Sequence, residues 1–198
     1  MSPARPPPTN EPLARGVIVH ALHESTRDFW GEEQLQLVVA RLPSAIAKAT
    51  FGPEFQPLAW YPVAYLEAWH EAIHAGPAAG DDRVYTECMD RALDVTVGRL
   101  RRVFMRLMTP GTLAVRGSEL WRSFHTHGET GVEWKGDTSA RITLVDHPFV
   151  ATRLGRLTFA SMVRYTAALS RAKNVRQRHS FDAHGKLTVT LTWGTLDP

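Results

Sequence analysis

The sequence predicts an α+β fold, a helical N-terminal part packed on a late antiparallel β-sheet in a single domain. Three observations carry this. Apolar residues of the first half recur at helical spacing. After residue 111 the period changes to short runs separated by turn residues. The closing stretch Lys186-Leu-Thr-Val-Thr-Leu-Thr-Trp193 alternates strictly, with Leu187, Val189, Leu191 and Trp193 on one face and Thr188, Thr190 and Thr192 on the other. Helices first and strands later is the order of an α+β chain.

Residues 1–12 hold Pro3, Pro6, Pro7, Pro8 and Pro12 and read as a flexible tail, because proline lacks the amide donor and fixes φ. The domain is expected over 13–198. Gly16 to Leu22 is apolar; Val17, Ala21 and Phe29 suit a helix, and the β-branched Val-Ile-Val run suits a strand at 16–20. Gly31 to Leu42 has helix formers with acids at its start, where the helix dipole favours them, and Pro43 ends it. A short helix is expected over 44–50. Trp60 to His74 reads as a helix with Pro62 in its first turn and Leu66, Trp69 and Ile73 on one face; Gly76-Pro77 stops it. Val84 to Met108 is a long helix candidate, ended by Pro110-Gly111. Glu119 to Phe124 reads as a short helix. Residues 131–134 and 140–145 flank a turn and predict a hairpin. Residues 155–172 read as helical, with Phe159, Met162, Val163, Thr166 and Leu169 inward. Asp182-Ala-His-Gly185 is turn chemistry, which makes 174–181 the partner of the closing strand.

Composition bounds the function. Of 198 residues, 43% are hydrophobic and 22% charged, which is globular and excludes global disorder. No apolar run is long enough to span a membrane, and the proline-rich start lacks the apolar segment of a secretory signal. The single cysteine, Cys88, excludes an intramolecular disulfide and a thiolate zinc cluster. These features imply a cytoplasmic protein. Residues 1–82 carry 5 Lys/Arg against 10 Asp/Glu, and residues 83–198 carry 18 against 10. The basic half is dispersed rather than run together, so it reads as charge that the acidic half neutralises, and nucleic acid is not an expected partner.

His70-Glu71-Ala72-Ile73-His74 is a formal H-E-x-x-H. Histidines at i and i+4 share a helix face and suit one zinc ion, while the glutamate polarises a metal-bound water. Against this, Pro77 and Gly80 stand where an extended zinc-protease pattern wants Gly and His, and Gly76-Pro77 ends the helix within a turn of His74. The plain reading is an amphipathic helix; His70 and His74 as zinc ligands with Glu71 as base are the alternative. His125-Thr-His127 and His147 read as partly solvated loop histidines. Haem needs an axial ligand in an apolar pocket, and the helix over 84–108 has no histidine. Cys88 has no cationic activator nearby and reads as a buried thiol. Arg171, Lys173, Arg176 and Arg178 form the densest basic group; no aromatics alternate with them as a single-strand nucleic-acid binder requires, so they read as solubilising charge on an edge strand.

The order of Arg15-Gly-Val-Ile-Val, Ala40-Arg-Leu-Pro43, Trp60-Tyr-Pro-Val63, Met108-Thr-Pro110, Leu120-Trp-Arg122 and Val189-Thr-Leu-Thr-Trp193 resembles a family of small proteins of unknown function found largely in myxobacteria. That family in turn resembles, more remotely, the fold shared by haem nitric-oxide-binding domains, four-vinyl-reductase-type effector-binding domains and vesicle-tethering subunits. The resemblance implies helices over an antiparallel sheet and a binding role. The haem propionate-binding Tyr-x-Ser-x-Arg signature of those haem domains has no counterpart, since Tyr165-Thr-Ala-Ala-Leu169 does not match. The expectation is a non-enzymatic regulatory module binding a small apolar ligand or a protein partner, a second copy of the chain included, with no cofactor. A zinc-dependent hydrolase and a structural interaction domain without a pocket are the alternatives.

Overall fold

The computed structural model describes residues 10–106, 109–170 and 172–194. The chain is α+β and forms two compact units: Met1–Thr96 with Phe124–Thr126, and Val97–Ser123 with His127–Pro198.

The first unit opens with β1 (Leu13–Arg15), α1 (Gly16–Trp30), α2 (Glu32–Arg41) and α3 (Ser44–Phe51). For 16–20 the helix wins over the strand. Its buried residues Val19, Leu22, His23 and Thr26 stand at i, i+3, i+4 and i+7, so burial of a helical face overrides the β-branched run. Gly16 is fixed by close approach, since a Cβ there would lie 2.7 Å from the Tyr61 ring and 2.8 Å from the Gln56 carbonyl oxygen. β2 (Trp60–Pro62) pairs antiparallel with β1, and α4 (Val63–Ala75) follows. The helix expected from Trp60 therefore starts three residues later. Tyr61 precedes a proline, which disfavours helical backbone, and Pro62 itself is extended at ψ 135°. Of the tail read over 1–12, residues 1–9 lie outside the described residues; Pro12 is tied in, its carbonyl accepting the Val63 amide at 2.9 Å. Leu22, Leu35, Val38, Leu66, Trp69 and Ile73 form the buried centre, at 2% exposure or less. Trp69 donates its indole N–H to Thr50 Oγ1 at 2.8 Å, which satisfies the one polar atom of the largest core side chain.

The long helix α5 runs Asp82–Arg106, as its periodicity predicts, although Leu107 and Met108 lie outside the described residues. α6 (Pro110–Phe124) is a correction: Pro110-Gly111 begins a helix of 15 residues instead of only ending one. Proline suits the first helical position because its missing amide needs no partner there, and Thr109 Oγ1 accepts the Thr112 amide at 3.2 Å as a cap.

The second unit carries β3 (Glu129–Trp134), β4 (Ser139–Val145), α7 (Pro148–Ala151), α8 (Arg153–Ala168), β5 (Arg176–Phe181) and β6 (Leu187–Thr192). The short α7 is absent from the sequence reading, and α8 ends earlier than expected. The strands form one antiparallel sheet in the order β3-β4-β6-β5. Val189 stands between Ile142 and His179. Leu187, Val189, Leu191 and Trp193 are buried at 0–6% exposure, while Thr188 and Thr190 are half-buried and Thr192 is exposed. The predicted alternation thus holds. The inner face meets α8, whose Phe159, Ala160 and Ser161 are buried.

Val189→Asp should unfold the protein or make it insoluble, because burying that side chain is worth about 1.5–3 kcal/mol and a central-strand carboxylate has no partner. Thr190→Asp, one residue away on the other face, should change stability by no more than about 1 kcal/mol. Thermal melts of the two variants that come out equal would show both faces of β6 to be core.

Candidate functional site

The polar groups with chemical potential are imidazoles, and packing against aromatic rings governs them. His23 projects from α1 into a box of rings: Trp69 at 4.5 Å between centroids, Phe51 at 5.1 Å and Phe55 at 5.5 Å. It is 5% exposed, and its Nε2 has no hydrogen-bond partner among the described residues. Burial, with smaller contributions from His20 and Arg27, drives its pKa down to about 3, so the ring is neutral at physiological pH. The sequence reading missed His23. The signal was present in the i, i+3, i+4 pattern of α1, which places it on the inward face beside Leu22.

The H-E-x-x-H residues stand on α4 and point in different chemical directions. His70 is 3% exposed, and its Nδ1 pairs with the Tyr85 hydroxyl at 2.8 Å. Burial lowers its pKa to about 3. His74 pairs through Nε2 with the Asp82 carboxylate at 2.9 Å. Glu71 is exposed. Both imidazoles thus tie α4 to the first turn of α5, an arrangement that the formal motif does not specify. Among the described residues no group of three His, Cys, Asp or Glu side chains stands together as a metal site. Glu87 on α5 is exposed and lies 4.0 Å from Arg83. Cys88 is fully buried, its sulfur 3.6 Å from Ser25 Oγ, and burial pushes the thiol up to about 11, which leaves it unreactive.

In the second unit His147 caps α7, its Nδ1 accepting the Phe149 amide at 3.2 Å. Its ring lies 4.8 Å from Trp121 and 4.7 Å from Phe149, and Phe159 closes on Trp121 at 5.5 Å. His147 was read as partly solvated; it is 4% exposed, and burial together with His127 lowers its pKa to about 3. Gly128, at φ +89°, permits this packing, since a Cβ there would meet the His147 Cβ at 2.9 Å and Trp121 Nε1 at 3.0 Å. The pair His125 and His127 is divided. The buried His125 bridges Ala14 of β1 through its backbone, while the His127 carbonyl accepts the Trp121 indole N–H at 2.9 Å.

With this geometry in view, the fold can be compared with known structures. No family model and no curated protein matches the chain. Solved structures do. An H-NOX protein from S. oneidensis superposes at a TM-score of 0.67 with 11% identity, covering 92% of this chain and 97% of its own. An oxygen-binding H-NOX domain related to soluble guanylate cyclases gives 0.62 at 10% identity, with 92% and 96% covered. A structure that probes heme distortion in the H-NOX family gives 0.65 at 10% identity, with the same coverages.

The chain has the H-NOX fold. The fold part of the sequence resemblance is thereby shown, while the myxobacterial family has no counterpart in these comparisons. The expectation of no cofactor is corrected: a fold whose solved members are described through heme carries the opposite default. Haem itself requires an axial donor with an open face and partners for its propionates. Here each buried imidazole packs against aromatic rings instead of an open face: His23 against Trp69, Phe51 and Phe55, His70 against Tyr85, and His147 against Trp121 and Phe149. Helices α5 and α6 carry no histidine in their sequences. As packed, these residues do not fit a haem.

The three neutral imidazoles have a consequence for pH. Each has a folded pKa near 3 against about 6.5 unfolded, so the unfolded chain binds more protons between those values and stability falls as pH drops below about 6.5. From pH 7 to pH 5.5 each should cost about 1 kcal/mol. Denaturant melts at the two pH values should show this acid loss, and His23→Phe, which keeps the aromatic box and cannot protonate, should reduce it. A stability unchanged between them would mean that these rings are charged in the fold.

Proposed function

We propose that the chain is a non-catalytic regulatory module that binds a small ligand on the H-NOX fold. The observation that supports this is the reach of the likeness, which takes in 92% of this chain and 97% of the S. oneidensis H-NOX protein. A fold kept over its full length at 11% identity retains its architecture and leaves the ligand to be set by this chain's own side chains. The neighbours are described as binding oxygen and as carrying heme; since the imidazoles of this chain do not fit a haem as packed, a small apolar molecule is the first ligand to try and haemin the comparison.

Native mass spectrometry of the purified full chain, followed by titration with haemin under absorbance, tests this reading. A one-to-one complex with a small molecule that co-purifies is expected, and haemin is expected to give no Soret band. At a ligand concentration of about 100 times Kd the complex should be more stable than the free protein by about 2.7 kcal/mol. A chain that purifies empty and shows no shift in melting with small apolar molecules would overturn the reading.

A further inference from the structure

We propose that the free edge of β5 is a docking site for an extended acidic segment of a partner protein. The sequence reading left Arg176 and Arg178 as solubilising charge; their placement in the sheet gives them more to do.

β5 is the last strand of the order β3-β4-β6-β5, so among the described residues one edge of it pairs with β6 and the other with no strand. Five of its six residues are exposed; only Gln177 is half-buried. Such an edge offers a row of backbone donors and acceptors to any extended chain. The register then sets the chemistry. Arg176 stands opposite Thr192 and Arg178 opposite Thr190, so both guanidinium groups belong to the outer face, away from buried Leu191 and Val189. Neither makes an ion pair or a side-chain hydrogen bond among the described residues. Alternate residues on a strand are about 7 Å apart on one face, which is also the spacing of alternate side chains on an added strand. Carboxylates at i and i+2 of the incoming segment therefore meet the two arginines in register.

Charge selects the occupant. The second unit carries 16 Lys/Arg against 7 Asp/Glu, so its field attracts an acidic segment and accelerates encounter. A second β5 edge would bring arginine against arginine, which disfavours pairing between copies. Nucleic acid is the weaker candidate because the outer face of β5 presents Arg176, Arg178 and Ser180, with no ring for a base to stack on. At the far end of the strand Phe181 is 46% exposed and braced by the Arg156 guanidinium at 4.8 Å, an apolar contact for the inner side of the same segment.

The probe is a fluorescein-labelled peptide of alternating Glu and Val, followed by anisotropy with the full chain. Binding is expected to weaken by about tenfold or more from about 50 to about 300 mM salt. R176E/R178E should weaken it by at least about tenfold with an unchanged melting curve, as for other exposed sites. N-methylation of alternate peptide amides should weaken it by several-fold, because edge pairing uses those amides. Arg141→Glu should leave it within about twofold, since Arg141 lies beyond β6 from the edge and beside Glu133 at 3.8 Å. The proposal is overturned if the N-methylated peptide binds as well, if Arg141→Glu is as damaging as the double variant, if the peptide fails to bind, or if a single-stranded oligonucleotide binds the same residues more tightly. These outcomes are independent of haemin binding, so failure here leaves the ligand-binding reading intact.

Discussion

The second unit depends on the one-sided burial of β6. This strand pairs on both edges, and its Leu187, Val189 and Leu191 side chains leave water together. Because side chains alternate with a period of two, fixing those three residues fixes every neighbour. Ala140 and Leu144 of β4 must face inward, and Arg141, Arg176 and Arg178 must face outward. No separate force places the arginines. They are where they are because slipping the register by one residue would expose the apolar set, at a cost several times that of any surface ion pair.

Burial plays a different part at the histidines. Three imidazoles across the molecule are taken out of water without a charged partner close enough to keep them protonated, and they respond by staying neutral. Neutral rings pack like other aromatics, which is why His23 sits inside a box of Trp69, Phe51 and Phe55 and His147 inside one of Trp121 and Phe149. Hydrogen bonds then lock two of them: Tyr85 holds His70, and the Phe149 amide holds His147. The chain thus combines the H-NOX fold with imidazoles that serve as aromatic packing groups.

Much of the fold was legible in the sequence because it is written in local periodicity. The alternation of 187–193, the turn at 182–185 and the helical face of α4 each depend on residues a few positions apart. Two features were misread because a local rule has two outcomes. Pro110-Gly111 closes one helix and opens another, and only Thr109, acting as a cap, tells which. Trp60 to Pro62 looks like a helix start until its pairing with Leu13 to Arg15, nearly 50 residues earlier, is known. The candidate site was less legible for the same reason. H-E-x-x-H specifies that two imidazoles share a helix face; it does not specify what faces them, and Tyr85 and Asp82 on the following helix settle that. His23 was overlooked and His147 was read as partly solvated because Trp69, Phe51, Phe55 and Trp121, which pack on them, lie far along the chain. The expectation of no cofactor is overturned by a fold whose solved neighbours are described through heme, and the absence of a motif says nothing about that fold.

The single thiol has a use of another kind. Cys88 on α5 touches Ser25 on α1, is fully buried, and has its ionisation suppressed by that burial. A thiol reagent reaches it only when the two helices part. The rate at which the native chain consumes such a reagent therefore measures how often this helical interface opens, without an introduced label and free of interference from any second cysteine. The molecule carries its own clock for local opening, and ligand or partner binding that tightens the helical unit will be read directly as a slowing of that clock.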